Sequence, residues 1–236
     1  MNIRWDTQGN LRLVWPKKYS EVMAMAQAFV TYESGLPAQE RLAAPSLGVI
    51  QGALDNTAAA VQAVQGGELD RATASTRYHQ TMEQTHPLLD IALLLLQVAH
   101  TDNLAELKAW GLEVRGNEHV YKPTGEKGWA KFLLSYVEQE SSLPEAERLV
   151  APPLAQIAAL AEALRQSMEQ RQSGLNRREK GVKDRAAAAA HLRRLLQAAA
   201  AVLIATRYDG RVVNDLQQWG YQVVAKKAQA PAETPS

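Results

Sequence analysis

Apolar residues recur at helical spacing over most of the chain. The stripe that begins with Leu47, Ile50 and Leu54 has steps of three and four residues, which is typical of one face of an amphipathic helix. We expect Gly66-Gly67 to end that helix and Pro87 to kink or split the next one. The helices predicted for the first half of the chain cover residues 20–34, 46–65 and 68–99, with a short helical corner over residues 36–44.

Five short segments favour β-structure. Residues 3–5 and 11–15 flank a turn-rich stretch and predict a hairpin, and residues 112–114 with 120–121 predict a second one. A final strand is expected over residues 221–224, and no following segment offers it a partner. An unpaired strand of this kind invites strand addition by another molecule.

The residues from Glu33 to Ile50 appear a second time from Glu140 to Ile157. The shift is 107 positions, and 11 of the 18 residues are identical. Unrelated segments of this length share about one residue, so the pattern predicts an internal duplication. The period is too long for tetratricopeptide, HEAT or ankyrin repeats, and their signatures are missing.

The repeat predicts a mainly α fold of two tandem duplicated helical bundles. Each bundle has three to four helices and a short β-hairpin at its end. The predicted domains are residues 1–114, residues 115–224 and a disordered tail over residues 225–236. The second bundle contains two residues more than the first, and the segment from Gln172 to Val182 is their expected position.

Composition narrows the class of protein. The chain has 236 residues, 46% of them hydrophobic, with two Phe and no Cys, which favours helix and excludes disulfides and thiol chemistry. No signal-peptide pattern and no uninterrupted apolar run of about 18 residues is present, so we expect a cytoplasmic protein without membrane contact. Residues 1–115 contain 9 Lys+Arg and 12 Asp+Glu, whereas residues 116–236 contain 17 and 13.

Motifs for catalysis are missing. There is no phosphate-binding glycine loop and no Gly-x-Ser-x-Gly elbow, so the sequence predicts neither an enzyme nor a cofactor, and it identifies no small-molecule substrate. His79, Glu83 and His86 share one helix face with the carboxylate-imidazole spacing of metal bundles. Their ligand set is incomplete, which makes a metal-binding enzyme the least favoured alternative.

A basic segment from Arg171 to Arg194 predicts a possible phosphate-binding surface. No aromatic residue interleaves it, and the corresponding segment of the first repeat is neutral, so nucleic-acid binding is an alternative function only. The residues of this alternative site are Arg171, Arg177, Arg178, Lys180, Lys183 and Arg185.

The leading hypothesis is a non-enzymatic scaffold that binds itself or another protein. Trp5 and Trp15 could anchor an interface on the first hairpin, and Tyr221 and Val223 could do so on the unpaired last strand. Strand addition, together with the opposite charges of the two halves, predicts head-to-tail oligomers or filaments.

Overall fold

The computed structural model describes residues 10–115 and 119–226. It confirms the mainly helical class. Within these residues the α-helices and strands are β1 (Leu11–Val14), α1 (Tyr19–Gly35), α2 (Leu47–Ala99), β2 (Glu113–Arg115), β3 (His119–Tyr121), α3 (Gly125–Ser142), α4 (Leu154–Arg207) and β4 (Gln222–Ala225). Short 3-10 helices cover Ala38–Glu40, Leu104–Lys108, Glu145–Glu147 and Asn214–Trp219.

The two long helices are continuous. This corrects the prediction of separate helices over residues 46–65 and 68–99, and over residues 153–172 and 176–207 in the second half of the chain. Helix α2 has 53 residues and passes through both Gly66-Gly67 and Pro87, and helix α4 has 54 residues and includes Gly174. Met82, Leu89 and Leu93 are buried on either side of Pro87. Their burial favours an uninterrupted helix there, because it offsets the cost of about 3 kcal/mol that a helical proline carries.

Glycine in these helices permits close backbone approach. A Cβ at Gly174 would lie 2.8 Å from the backbone nitrogen of Arg71 and 3.0 Å from the carbonyl oxygen of Gly67. A Cβ at Gly181 would lie 3.0 Å from the backbone nitrogen of Val64. Only a residue without a side chain fits at such a contact, so the glycines mark helix packing and not helix ends.

The strands form two antiparallel pairs. The pairing of β2 with β3, with Val114 opposite Val120, confirms the second predicted hairpin. Strand β1 pairs with β4, with Leu13 opposite Val223, so the prediction of an unpaired last strand is wrong. The first arm of the other predicted hairpin, residues 3–5, lies outside the described residues.

The chain forms two compact units, and each is described by itself. The terminal unit contains residues up to 65 together with residues from 178 onward, and the central unit contains residues 66–177. These units do not coincide with the predicted divisions 1–114 and 115–224. The reason is that each long helix contributes to both units. Helix α2 contributes residues 47–65 to the terminal unit and 66–99 to the central unit, and α4 contributes residues 154–177 to the central unit and 178–207 to the terminal unit. Of the predicted tail, Ala225 belongs to β4, and residues 227–236 lie outside the described part.

Each unit has its own hydrophobic core. In the terminal unit, Phe29, Ile50 and Leu203 are completely buried between α1, α2 and α4. In the central unit, Tyr136, Ile157 and Leu96 take the corresponding places. Both cores include a tryptophan at the end of a 3-10 helix or shortly after it, Trp219 in the terminal unit and Trp110 in the central unit.

Structural features recur at the spacing found in the sequence. The Ala44-Pro45 and Ala151-Pro152 peptide bonds are both cis, and α2 and α4 begin 107 residues apart. Helix α4 is only one residue longer than α2, so the prediction that both extra residues lie between 172 and 182 is wrong. By the helix bounds, α4 ends one residue beyond the counterpart of Ala99. The other extra residue lies between α4 and Trp219, where Asp209 and Gly210 have positive φ angles of 50° and 78°.

Helix α4 is long and apolar enough to cross a membrane by length and composition, with a mean hydropathy of 1.3 in its most apolar window. One third of that window is buried. Core helices of soluble proteins pass the same test, and Leu192, Leu196 and Leu203 of α4 are buried in the core of the terminal unit. This observation is weak evidence for a membrane span, and the cytoplasmic location stays a prediction.

Candidate functional site

The repeated stretch forms a corner after α1 in the terminal unit, held by a buried carboxylate. Glu33 has no exposed surface, and its Oε1 accepts a hydrogen bond from the backbone N–H of Leu42. Its Oε2 accepts a bond from the indole N–H of Trp219 at 2.7 Å. Both carboxylate oxygens therefore have donors, which is the condition for burying a charge at acceptable cost.

The equivalent corner in the central unit lacks the second donor. Glu140 is 1% exposed, and its Oε1 accepts a bond from the backbone N–H of Leu149. Among the described residues its Oε2 has no hydrogen-bond partner, and neither has the buried hydroxyl of Tyr136. Burial raises the pKa of Glu140, while the Leu149 bond and the nearby Arg148 act against that shift. Burial and the charge of Glu140 also raise the pKa of Tyr136.

The repeated arginines explain why the corners keep their shape. Arg41 donates to the carbonyl oxygens of Leu36 at 2.9 Å and Ser34 at 2.8 Å. Arg148 donates in the same way to Leu143 at 3.0 Å. These bonds satisfy carbonyl groups at the C-terminal end of the preceding helix. Arg41 lies within the predicted corner over residues 36–44. The buried glutamates at the start of the repeat were not among the predicted site residues, although both copies of the repeat contain them.

The predicted strand interface is not accessible on the described residues. Tyr221 and Val223 are 2% and 9% exposed, because β4 pairs with β1 over the core of the terminal unit. Trp15 is half-buried and contacts the ring of Tyr221 edge to face, with centroids 5.8 Å apart. Trp5 lies outside the described residues.

Three arginines of the predicted nucleic-acid site are held by contacts inside their own unit. In the central unit, Arg177 forms an ion pair with Asp70 at 2.9 Å, and Arg171 lies over the ring of Tyr78 at 5.9 Å. In the terminal unit, Arg185 lies over the ring of Tyr19 at 4.5 Å. Such contacts occupy cationic groups that a phosphate would otherwise contact.

Three exposed basic residues of α4 in the terminal unit lie on one face of the helix. Lys180, Lys183 and Arg194 fall within about 60° of one another around the helix axis at 100° per residue. All three are exposed, and none has a carboxylate within ion-pair distance among the described residues. We call these three residues the basic stripe. Arg178 is exposed as well and has an interaction of its own.

The predicted metal-ligating face does not assemble a site. His79 binds Glu126 with 2.8 Å between Nδ1 and Oε1, and His86 lies against the ring of Trp129 with centroids 4.8 Å apart. Glu83 is exposed. Within the described ranges, no group of three or more His, Asp or Glu side chains has metal-ligand geometry.

Each unit carries a groove at the junction between its strands and its first helix. The groove of the terminal unit has a volume of about 780 Å³ and is lined by Trp15, Lys17 and Glu21. The groove of the central unit has a volume of about 620 Å³. Both include the glycine that follows the 3-10 helix, Gly220 or Gly111, each with a left-handed φ near 80°.

Comparison of the chain with protein-family models, with curated proteins and with solved structures gave no significant match. The geometry and the charges of the two units therefore carry the functional argument.

The two compact units have opposite net charges. The sequence of the terminal unit contains 15 Lys+Arg and 10 Asp+Glu, a net charge of +5. The central unit contains 11 and 15, a net charge of −4. The separation is larger than in the sequential halves, because the basic part of α4 joins the N-terminal residues in one unit.

Unpaired carboxylates gather at the corner of the central unit. Glu138, Glu145 and Glu147 are exposed, and none forms an ion pair with another described residue. The corresponding positions of the terminal unit hold Thr31, Ala38 and Glu40. We call the three glutamates of the central unit the acidic corner.

Proposed function

We propose that the protein is a non-enzymatic scaffold that self-associates through its oppositely charged units. The basic stripe of one molecule contacts the acidic corner of the next. The observation that carries the proposal is the charge separation between the compact units, +5 against −4. Complementary potentials of this kind steer association and set its register.

The proposed contact is heterologous, because two different surfaces meet. Repetition of such a contact produces rings when the rotation closes and open filaments when it does not. The proposal replaces strand addition at β4, since β4 already has β1 as its partner. Four residues are exposed and form no ion pair with another described residue, which supports them as contacts between molecules: Lys180, Lys183, Glu145 and Glu147.

Sedimentation velocity across a salt series tests the proposal. We expect oligomers at 50 mM salt that dissociate toward 500 mM, because the Debye length falls from more than 10 Å to about 4 Å over this range. A monomer at all protein concentrations and low salt, or oligomers that salt does not affect, would refute it.

Charge reversal provides a matched pair of variants. Lys180→Glu/Lys183→Glu makes the contact acidic on both sides, and Glu145→Lys/Glu147→Lys makes it basic on both sides. Each variant alone should stay monomeric, while an equimolar mixture should associate again because opposite charges then meet in every contact. All four residues are exposed, so neither variant should change the stability by more than about 0.5 kcal/mol. A mixture that does not associate would contradict this register.

The alternative function, nucleic-acid binding, uses part of the same stripe. A duplex titrated at 50 mM salt separates the two functions, since binding by Lys180 and Lys183 should be lost in Lys180→Glu/Lys183→Glu but unaffected by Glu145→Lys/Glu147→Lys. Strong duplex binding by a monomer would favour the alternative.

A further inference from the structure

The groove of the central unit is lined by an excess of cationic side chains. Lys108, Arg115, Lys122 and Lys131 all line it, with Glu113 as the only lining carboxylate. This concentration of positive charge is not expected from the composition, since the central unit as a whole has a net charge of −4. A concave surface lined by positive charges concentrates the electrostatic field and attracts anions into the groove.

Two of these cations have partners, and two do not. Arg115 binds Glu113 at 3.3 Å, and Lys122 binds Asp90 at 2.8 Å. Neither Lys108 nor Lys131 has a carboxylate within ion-pair distance in the described part of the chain. The single lining carboxylate is thus already neutralised by Arg115, and the groove keeps two uncompensated ammonium groups.

The equivalent groove of the terminal unit shows that the fold does not require these charges. The positions of Lys108 and Lys131 correspond to Gln217 and Ala24, and those of Arg115 and Lys122 correspond to Val224 and Trp15. The frame of strand end, helix start and left-handed glycine is the same in both grooves. The construction of the groove therefore does not require Lys108 and Lys131, the two cations without a partner.

We propose that the groove of the central unit binds a small molecule through a phosphate or carboxylate group. Lys108 and Lys131 supply the charge for that group, and the ring of Tyr121 lines the same groove and offers an apolar surface for the rest of the ligand. A volume of about 620 Å³ is in the range of small-molecule sites. The site is separate from the proposed self-association, because none of its residues belongs to the basic stripe or the acidic corner.

Calorimetric titration of the full chain with inorganic phosphate and, separately, with succinate tests the site. Nuclear magnetic resonance of the backbone amides provides a second readout, with shifts expected at Gly111 and Gly128. At least one anion should bind with a dissociation constant below 10 mM, and the affinity should fall with added salt. Tighter binding of phosphate than of succinate, or the reverse, identifies which anionic group the site prefers.

The decisive variant is Lys108→Gln/Lys131→Ala, which introduces the residues found at the equivalent positions of the terminal unit, Gln217 and Ala24. It should fold normally and lose at least tenfold in anion affinity. Lys17→Ala/Lys18→Ala in the terminal groove is the matched control and should bind as the unmodified chain does. No anion binding at 10 mM, or equal binding in both variants, would overturn the proposal. Much tighter binding of decaglutamate than of either small anion would also overturn the proposal, because it would identify an acidic peptide as the ligand.

Discussion

The two buried glutamates provide a comparison inside one molecule, because the same change should have opposite effects at the two corners. Replacing Glu33 with Gln removes one of two acceptor oxygens while the N–H groups of Leu42 and Trp219 still point at them. Replacing Glu140 with Gln keeps an acceptor oxygen for the N–H of Leu149. The amide NH2 takes the place of Oε2, which accepts no hydrogen bond from the described residues.

The expected magnitude follows from the hydrogen bonds. Glu33→Gln leaves one buried N–H without an acceptor and should lower the free energy of unfolding by about 1.5–3 kcal/mol. For a chain of this length that corresponds to a decrease in Tm of roughly 3–12 °C. Glu140→Gln should leave the Tm unchanged or raise it, since it removes a buried ionisable group that has a single donor.

The pH dependence separates the two residues further. The pKa of Glu140 is raised in the folded chain, so the fold favours its protonated form. Stability from this group is fully present below the unfolded pKa and is lost as the pH rises through the folded pKa. Glu140→Gln should therefore match the unmodified chain near pH 4 and exceed it at pH 7.

Thermal and urea unfolding monitored by circular dichroism measure these differences. A double-mutant cycle with Glu33→Gln and Trp219→Phe should give a coupling of about 1–2 kcal/mol, because each change alone breaks the same bond. Equal destabilisation by Glu33→Gln and Glu140→Gln, or a loss of stability in Glu140→Gln that is larger at pH 7 than at pH 4, would refute the reasoning.

Five further substitutions test the packing. Tyr136→Phe removes a buried hydroxyl that has no partner and should leave stability unchanged or raise it by up to about 1 kcal/mol in urea unfolding. Gly174→Ala should destabilise by about 1–3 kcal/mol because its Cβ meets backbone at 2.8 Å, whereas Gly52→Ala, with no atom within 4 Å, should stabilise by about 0.5–1 kcal/mol. Leu93→Ala should cost about 2–5 kcal/mol and its neighbour Leu94→Ala less than about 1 kcal/mol, since Leu93 is 7% and Leu94 63% exposed; similar losses for both would contradict the assigned faces.

Local patterns in the sequence were sufficient for the mainly helical class, helix α1, the corners and one hairpin. Helix periodicity, prolines and the spacing of the repeat depend on residues a few positions apart, and the turn between β2 and β3 joins neighbouring strands. The prediction of α1 as residues 20–34 differs by one residue at each end from the observed Tyr19–Gly35. The repeat also located the two corners and their arginines.

Long-range contacts decided the rest. Gly66-Gly67 and Gly174 are helix breakers by local propensity, but packing between α2 and α4 makes the absence of a side chain an advantage. Continuous helices then divide the chain into a terminal and a central unit, and this division brings β1 and β4 together from opposite ends of the sequence. Local patterns report what each segment can form, whereas the burial of Glu33, the pairing of β4 and the charge of each unit depend on which distant segments share a core.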